Sequence, residues 1–212
     1  MKKLLLILSM FALIVGGCGV KTTKLYDGKS FKGWEFYLRD KAVDPADVWS
    51  IRDEVVHCTG TPSGYMRTTG WYSDYMLHME WRWAGRAGNS GVLLHTTGPD
   101  KVWPKSVECQ LQSGDAGDFW LIDGPGLKDD GNFVGGKAGE FVRVKKKKPS
   151  NEKQIGQWNS YDIYCHGDTI KCYVNGLLQN EGTDLTDTSG RIALQSEGAP
   201  IEFRNIYIHP LK

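Results

Sequence analysis

The strongest constraint on this chain is the spacing of its apolar residues, which recur at every second position in short runs closed by Gly, Asp, Asn or Pro. Successive side chains of a strand point to opposite faces, so a two-residue period specifies sheets with a buried face. No stretch carries a 3.6-residue period of useful length for a helix. Thirteen segments fit the strand pattern, the first from Gly33 to Tyr37 and the last from Ile201 to Ile208. That many short strands in one domain predict an all-β fold, a two-sheet sandwich of jelly-roll type. The stretch from Asp123 to Glu140, rich in Gly and Asp and without a period, reads as a long loop over one sheet.

A chain of 212 residues, 40% hydrophobic and with eight Trp, can bury a sizeable core as one domain. Its formal net charge of +1 creates no field that would draw in nucleic acid. The basic run from Arg143 to Lys148 lacks interleaved aromatics and is closed by Pro149, so it reads as a solvated strand end or loop. At the N-terminus, Lys2-Lys3 precede an apolar stretch from Leu4 to Val15 that is short for a membrane span. The following Val15-Gly16-Gly17-Cys18 resembles a bacterial lipobox. The expectation is a lipoprotein signal peptide over 1–17, a lipidated Cys18 and tether over 18–24, and one folded domain over 25–212. The protein would then sit in the bacterial cell envelope, with its N-terminal lipid in a membrane.

Cys58, Cys109, Cys165 and Cys172 remain, and four cysteines in an oxidising compartment have three possible pairings. In a hairpin turning at Gly167-Asp168 with a two-residue loop, Cys165 lies diagonal to Cys172 at about 7 Å, too far for a disulfide; a longer loop would make them direct partners. We expect free buried thiols, and no Cys/His spacing indicates zinc.

The chemistry is expected on a polar sheet face. In Val107-Glu108-Cys109-Gln110-Leu111-Gln112, Glu108, Gln110 and Gln112 share one face, a carboxylate with two amides. The segment from Tyr75 to Trp83 repeats the device, with His78, Glu80 and Arg82 opposite Tyr75, Leu77, Met79, Trp81 and Trp83. If these two strands and the one from Gly91 to Thr96 form a meander, Glu80, Arg82, His95, Glu108 and Gln110 assemble on one wall. Gln195 would join from another strand. Gly91 would let a ligand approach the backbone, and Trp103, Trp120 and Trp71 are candidates to stack on pyranose rings. A face of this kind suits carbohydrate.

Seven motifs, in order along the chain, carry a resemblance. They are Leu25 to Trp34, Gly88-Asn89-Ser90-Gly91-Val92, Val107-Glu108-Cys109-Gln110, Gln157-Trp158-Asn159, Val174-Asn175-Gly176, Gly190 to Gln195 and Phe203-Arg204-Asn205-Ile206. Together they resemble the bacterial 3-keto-disaccharide hydrolase family, which implies a concanavalin A-like lectin/glucanase sandwich and an oligosaccharide or glycoside substrate. The chain departs from the family's pattern at Gln112, where relatives often carry an acid, and at Glu197, where they often carry His.

An ordinary glycosidase needs two carboxyls flanking the bond, and the three alternating acids of a glucanase strand are absent here. Glu80 and Glu108, two strands apart in a meander, would have backbones about 9.5 Å apart, a separation that suits only inversion. A sugar oxidised at C3 changes the demand. Its carbonyl acidifies the C2 proton, so one base can start an elimination that expels the C1 oxygen, with water added afterwards. On this reading Glu108 is the base, Arg82 and His95 stabilise the enolate oxygen, and Gln110 and Gln195 orient hydroxyls. The alternatives are an inverting glycosidase using Glu80 and Glu108, and a non-catalytic carbohydrate-binding sandwich. No ligand spacing identifies a metal, although a divalent ion in place of the arginine is compatible with the chemistry.

Overall fold

The computed structural model describes residues 21–212, so the expected signal peptide and the Cys18 lipid site lie outside the described residues. Seventeen strands follow in chain order: β1 (Thr23–Lys24), β2 (Trp34–Leu38), β3 (Trp49–Arg52), β4 (Val55–Cys58), β5 (Gly64–Thr68), β6 (Tyr75–Trp83), β7 (Gly91–Thr97), β8 (Lys105–Gln110), β9 (Phe119–Ile122), β10 (Gly126–Asp129), β11 (Asn132–Gly135), β12 (Phe141–Val144), β13 (Asn159–His166), β14 (Thr169–Val174), β15 (Leu177–Gly182), β16 (Arg191–Ser196) and β17 (Ile201–Pro210). One helical turn, Pro45–Val48, starts where the Asp44 side chain accepts a hydrogen bond from the Ala46 N–H and Pro45 fits the first turn.

Two antiparallel sheets stack as a sandwich. One runs β15-β14-β13-β6-β17-β4-β3 with β1 against β17, and the other runs β12-β9-β8-β7-β16-β5-β2. The alternation of β6 is realised in full: Tyr75, Leu77, Met79, Trp81 and Trp83 are buried, while the intervening residues are half-buried on the outer face. Opposite them Val92, Leu94, Val107, Cys109 and Leu111 supply the inner face of the second sheet. This shared layer is the core, and its burial is the main source of stability. Turns are placed where the sequence permits positive φ, as at Asn175-Gly176 (48° and 77°) between β14 and β15.

The structure corrects the meander. β6 lies in one sheet and β7 with β8 in the other, so the link between β6 and β7 crosses the sandwich. A period of two specifies which face of a strand is buried but not which sheet the strand joins, and that choice decides the neighbours of Glu80 and Arg82.

Three local expectations also change. Thr23 and Lys24, expected in the tether, pair with Ile208 and Tyr207. The stretch expected as a long loop contains the β10–β11 hairpin, which turns at Asp130 and Gly131 and bridges to Thr183 through Lys128. β15 is a further strand that the pattern did not show. All four described cysteines are free and buried, and Cys165 pairs with Ile170 while Cys172 pairs with Ile163, the expected diagonal placement.

Three residues of the basic run are held in ion pairs. Arg143 and Lys146 bond Asp115 and Asp118, and Lys147 bonds Asp129 and Asp130.

Candidate active site

The second sheet carries polar groups on the face turned away from the core. Glu108 on β8 stands opposite Leu93 on β7 and Trp120 on β9, and Gln110 stands opposite Gly91. Gln195 on β16 stands opposite Tyr65 on β5. Apolar side chains of Tyr65, Leu93, Ile122 and Ala193 pack as the floor, with Tyr37, Trp103 and Trp120 against them. A cleft of about 320 Å³ opens above, lined by Asn89, Trp103, Glu108, Gln110, Gln112, Trp120, Ile122, Phe141 and Glu197. That size is at the low end for small-ligand sites, and the mixture of aromatic walls with few polar groups is usual for them.

Gly91 makes the cleft possible. A Cβ at this position would overlap the Glu108 carboxylate and the Gln195 side-chain oxygen, so both side chains lie over the bare backbone between β8 and β16. The Ser90 hydroxyl ties the same place to β16 by donating to the Gln195 carbonyl at 2.9 Å.

The electrostatics are unusual for a sheet surface. Glu108 is only 4% exposed and its Oε1 has no hydrogen-bond partner in the protein. Burial first, and then the Glu197 carboxylate nearby, hold the Glu108 carboxyl well above its ordinary range, so it favours the protonated form. Both polar atoms of the Gln195 amide are buried and unpartnered as well. The Gln110 side-chain Oε1 accepts from the backbone N–H groups of Leu111 and Gln112, each at 2.9 Å, which leaves its NH2 end for a ligand. Buried groups without partners cost stability, and native proteins retain few of them without a use.

Glu197 follows β16 and is tied to the rim through a bridge between its backbone and Asn89. Burial raises its carboxyl pKa, while the Trp103 and Asn89 side chains and the Arg39 charge act in the opposite direction. The Arg39 guanidinium also lies 5.2 Å from the centre of the Trp103 ring. The sequence reading stopped this strand at Gln195. Glu197 is two residues further on the same alternation, the signal by which it can be found.

The structure thus brings together Glu108, Gln110, Gln195, Gly91, Trp103 and Trp120, and it does not bring Glu80, Arg82 or His95 to them. Glu80 faces outward from the opposite sheet and bonds Arg204 and Asn205. Arg82 bonds Glu202 and lies 4.5 Å from the centre of the Trp158 ring. His95 is turned by an irregularity of β7 between Leu94 and Thr97, with φ of 52°, and packs edge-on against core residue Tyr75 at 5.9 Å. Its Nδ1 is 2.7 Å from the Asp187 carbonyl, and burial lowers its pKa. Trp71 is 58% exposed and does not line the cleft. Among the described residues no cluster of three or more His, Cys, Asp or Glu is arranged to hold a metal ion. A larger hollow of about 410 Å³ on the other sheet is lined by Tyr26, Asp27, Glu54 and Arg204, but Asp27 is already occupied by Lys29 and Ser30.

Comparison with known proteins gives this cleft a context. The model of a family described as the 3-keto-alpha-glucoside-1,2-lyase-like domain matches residues 21–209. A 3-keto-disaccharide hydrolase of Bacteroides thetaiotaomicron is 23% identical in an alignment 233 positions long, gaps included, that covers 88% of this chain and 77% of that protein. Among solved structures, a candidate glycosyl hydrolase from Parabacteroides distasonis superposes with a TM-score of 0.64 at 22% identity, covering 90% of this chain and 94% of the other. A β-glucanase of Bacillus licheniformis has a TM-score of 0.58 at 13% identity, covering 92% and 99%. A carbohydrate-binding module of Bacillus subtilis has a TM-score of 0.55 at 14% identity, covering 82% and 93%. These structural likenesses establish the jelly-roll fold, shared by hydrolases and binding modules alike.

Proposed function

The chain belongs to the 3-keto-alpha-glucoside-1,2-lyase-like family, a family of hydrolase-type enzymes, and from that premise we propose that it cleaves 3-keto-glycosides by C2 proton abstraction, elimination and hydration. The observation that carries the reading is the orphaned polar cluster over Gly91, where Glu108 and Gln195 sit buried without partners. A carboxyl held in a desolvated site has its pKa moved toward the working range of a proton-transfer group. The NH2 groups of Gln110 and Gln195, on the same face, are neutral donors fit to bond the C3 oxygen as negative charge develops there. Trp103 and Trp120 wall the cleft and offer faces for the pyranose.

The substrate oxidation state decides between this reading and its rivals. The purified protein is incubated in deuterium oxide with a glucoside and with its 3-keto derivative, with and without chelator. We expect cleavage of the keto compound alone, with product deuterated at C2 above the level of enzyme-free and product-only controls. Cleavage of the plain glucoside at a comparable rate would return the case to direct displacement at C1, and binding without turnover would make the cleft a carbohydrate-binding site.

A further inference from the structure

Two carboxyls face one cleft, and their surroundings differ. Glu108 lies on β8 and Glu197 at the end of β16, with β7 and the bare backbone of Gly91 between them. The register sets Glu108 opposite Leu93 and, one strand further, Ala193, while Glu197 lies four residues beyond Ala193 along the same strand direction, opposite Asn89. Two strand spacings and four residues of rise put the backbones roughly 16 Å apart on a diagonal, so the two side chains reach into the cleft from opposite ends with room for a sugar ring between them. Glu108 has no cationic neighbour and an unpartnered Oε1. Burial raises the Glu197 carboxyl too, but the Trp103 and Asn89 side chains and the Arg39 charge oppose it there, as nothing does at Glu108. Two carboxyls sharing a desolvated space tend to hold one proton between them, and here the surroundings put that proton on Glu108.

Building on the 3-keto-glycoside reading, we propose that Glu197 is the second catalytic residue of the cleft, the base that takes the C2 proton, while protonated Glu108 gives its proton to the departing oxygen. Glu108 was expected from sequence to be the base; the pairing moves it to the leaving-group side. The step balances. The Glu197 carboxylate bonds the C2 proton, the C–H electron pair enters the enolate between C2 and the C3 oxygen, and its collapse to the enone breaks the C1–O bond. The electrons of that bond leave on the aglycone oxygen, which takes the Glu108 proton. On hydration the Glu108 carboxylate removes a proton from water as its oxygen adds to C1, and Glu197 returns its proton to C2. The pair holds one proton before the cycle and one after it, so no external acid or base is consumed.

The assignment separates the two residues by leaving group. A sugar leaving group needs the acid, whereas 4-nitrophenolate departs without one; both need the base. Glu108→Gln is expected to lose on the order of 10²–10⁴ in kcat/KM on a 3-keto-disaccharide and less than about tenfold on the 3-keto 4-nitrophenyl glycoside. Glu197→Gln is expected to lose on the order of 10²–10⁴ on both, and with it the acid limb of the pH–rate profile. Glu197→Asp, which keeps the carboxylate, should recover part of the rate. Circular dichroism and a thermal melt establish that each variant is folded, and Glu197→Asp carries the test if Glu197→Gln is not.

The reverse leaving-group pattern, or a Glu197→Gln enzyme within about threefold of wild type on both substrates, would overturn the assignment while leaving the keto-glycoside reading intact. If Glu197→Gln is unfolded, a Glu197→Asp enzyme that turns over both substrates at the wild-type rate with an unmoved acid limb overturns it too. Wild-type cleavage of an unoxidised glycoside as fast as the keto compound would instead sink that reading, and this assignment with it.

Discussion

The outer face of β6 and the outer face of β8 look alike in sequence, each an alternating file with carboxylate and other polar groups, and the molecule uses them in opposite ways. On the outer face of β6 the polar side chains have partners: His78 has Asp162, Glu80 has Arg204 and Asn205, and Arg82 has Glu202. Trp158 is held between Arg82 and Arg204, whose guanidinium carbons lie 4.5 and 4.0 Å from its ring centre. On β8 and its neighbours, Glu108 and Gln195 are more deeply buried yet retain unpartnered atoms. Polarity alone does not mark a site. Single unpartnered atoms occur elsewhere, as at Trp49, Trp81 and Trp83; what distinguishes the β8 face is a carboxyl and an amide, both buried and unpartnered, meeting over one cleft.

The sharpest way to break this comparison is to neutralise one carboxylate in each file. Glu108→Gln should lower turnover of a 3-keto-disaccharide by about two to four decades, the usual weight of a proton-transfer residue. Glu80→Gln should leave turnover within about threefold of wild type, since partly exposed ion pairs contribute little even to stability. Equal losses at both positions, read as kcat/KM, would erase the distinction between the two faces.

A second measurement sharpens it through stability. The Glu108 carboxyl is held above its ordinary value, so the folded protein keeps a proton that the unfolded chain releases as pH rises past about 4.5. The folded state is therefore penalised increasingly as pH rises from that point, the opposite of a salt-bridged carboxylate. Glu108→Gln removes the penalty. Its Tm should match wild type near pH 4 and exceed it by about 3–6 °C near pH 7.5. A wild-type protein that is the more stable of the two at the higher pH would contradict a desolvated Glu108.

The smallest expected effect concerns the segment before the fold. We propose that Cys18 carries a lipid, and Cys18→Ala should abolish fatty-acid labelling while leaving turnover by the detergent-solubilised enzyme unchanged. Labelling that persists in the variant would remove the anchor from the account. β1 begins at Thr23, so any tether from Cys18 is short and would hold the sandwich near the membrane surface.

Much of the fold is legible in residue spacing. The alternation of Tyr75 to Trp83 gives the buried and outer faces residue by residue, and Asn175-Gly176 announces its turn. The hairpin at Asp130-Gly131 carried a comparable turn signal, but its strands are four residues each, too short to show a period, and Phe133 and Val134 stand side by side in one of them. The site was legible only in part. Glu108, Gln110, Gln195 and Gly91 converge because registers within one sheet follow from alternation once the strands are neighbours. Glu80 and Arg82 were misplaced because the connection from β6 to β7 changes sheet, a choice made by packing rather than by any local pattern. His95 was misplaced because an irregularity in β7 reverses its face, and a one-residue slip moves a side chain from one side of a sheet to the other.

The four buried thiols have a practical consequence. Burial raises the Cys58 and Cys165 thiols to about 11 and about 12, so almost no thiolate exists at neutral pH to react with an alkylating agent. None of the four sulfurs lies at the surface. A reagent in solution therefore meets them when the sandwich opens, and the speed of alkylation in the native protein becomes a clock for that opening. The molecule carries its own gauge of kinetic integrity, readable by mass without any added label on the cleft.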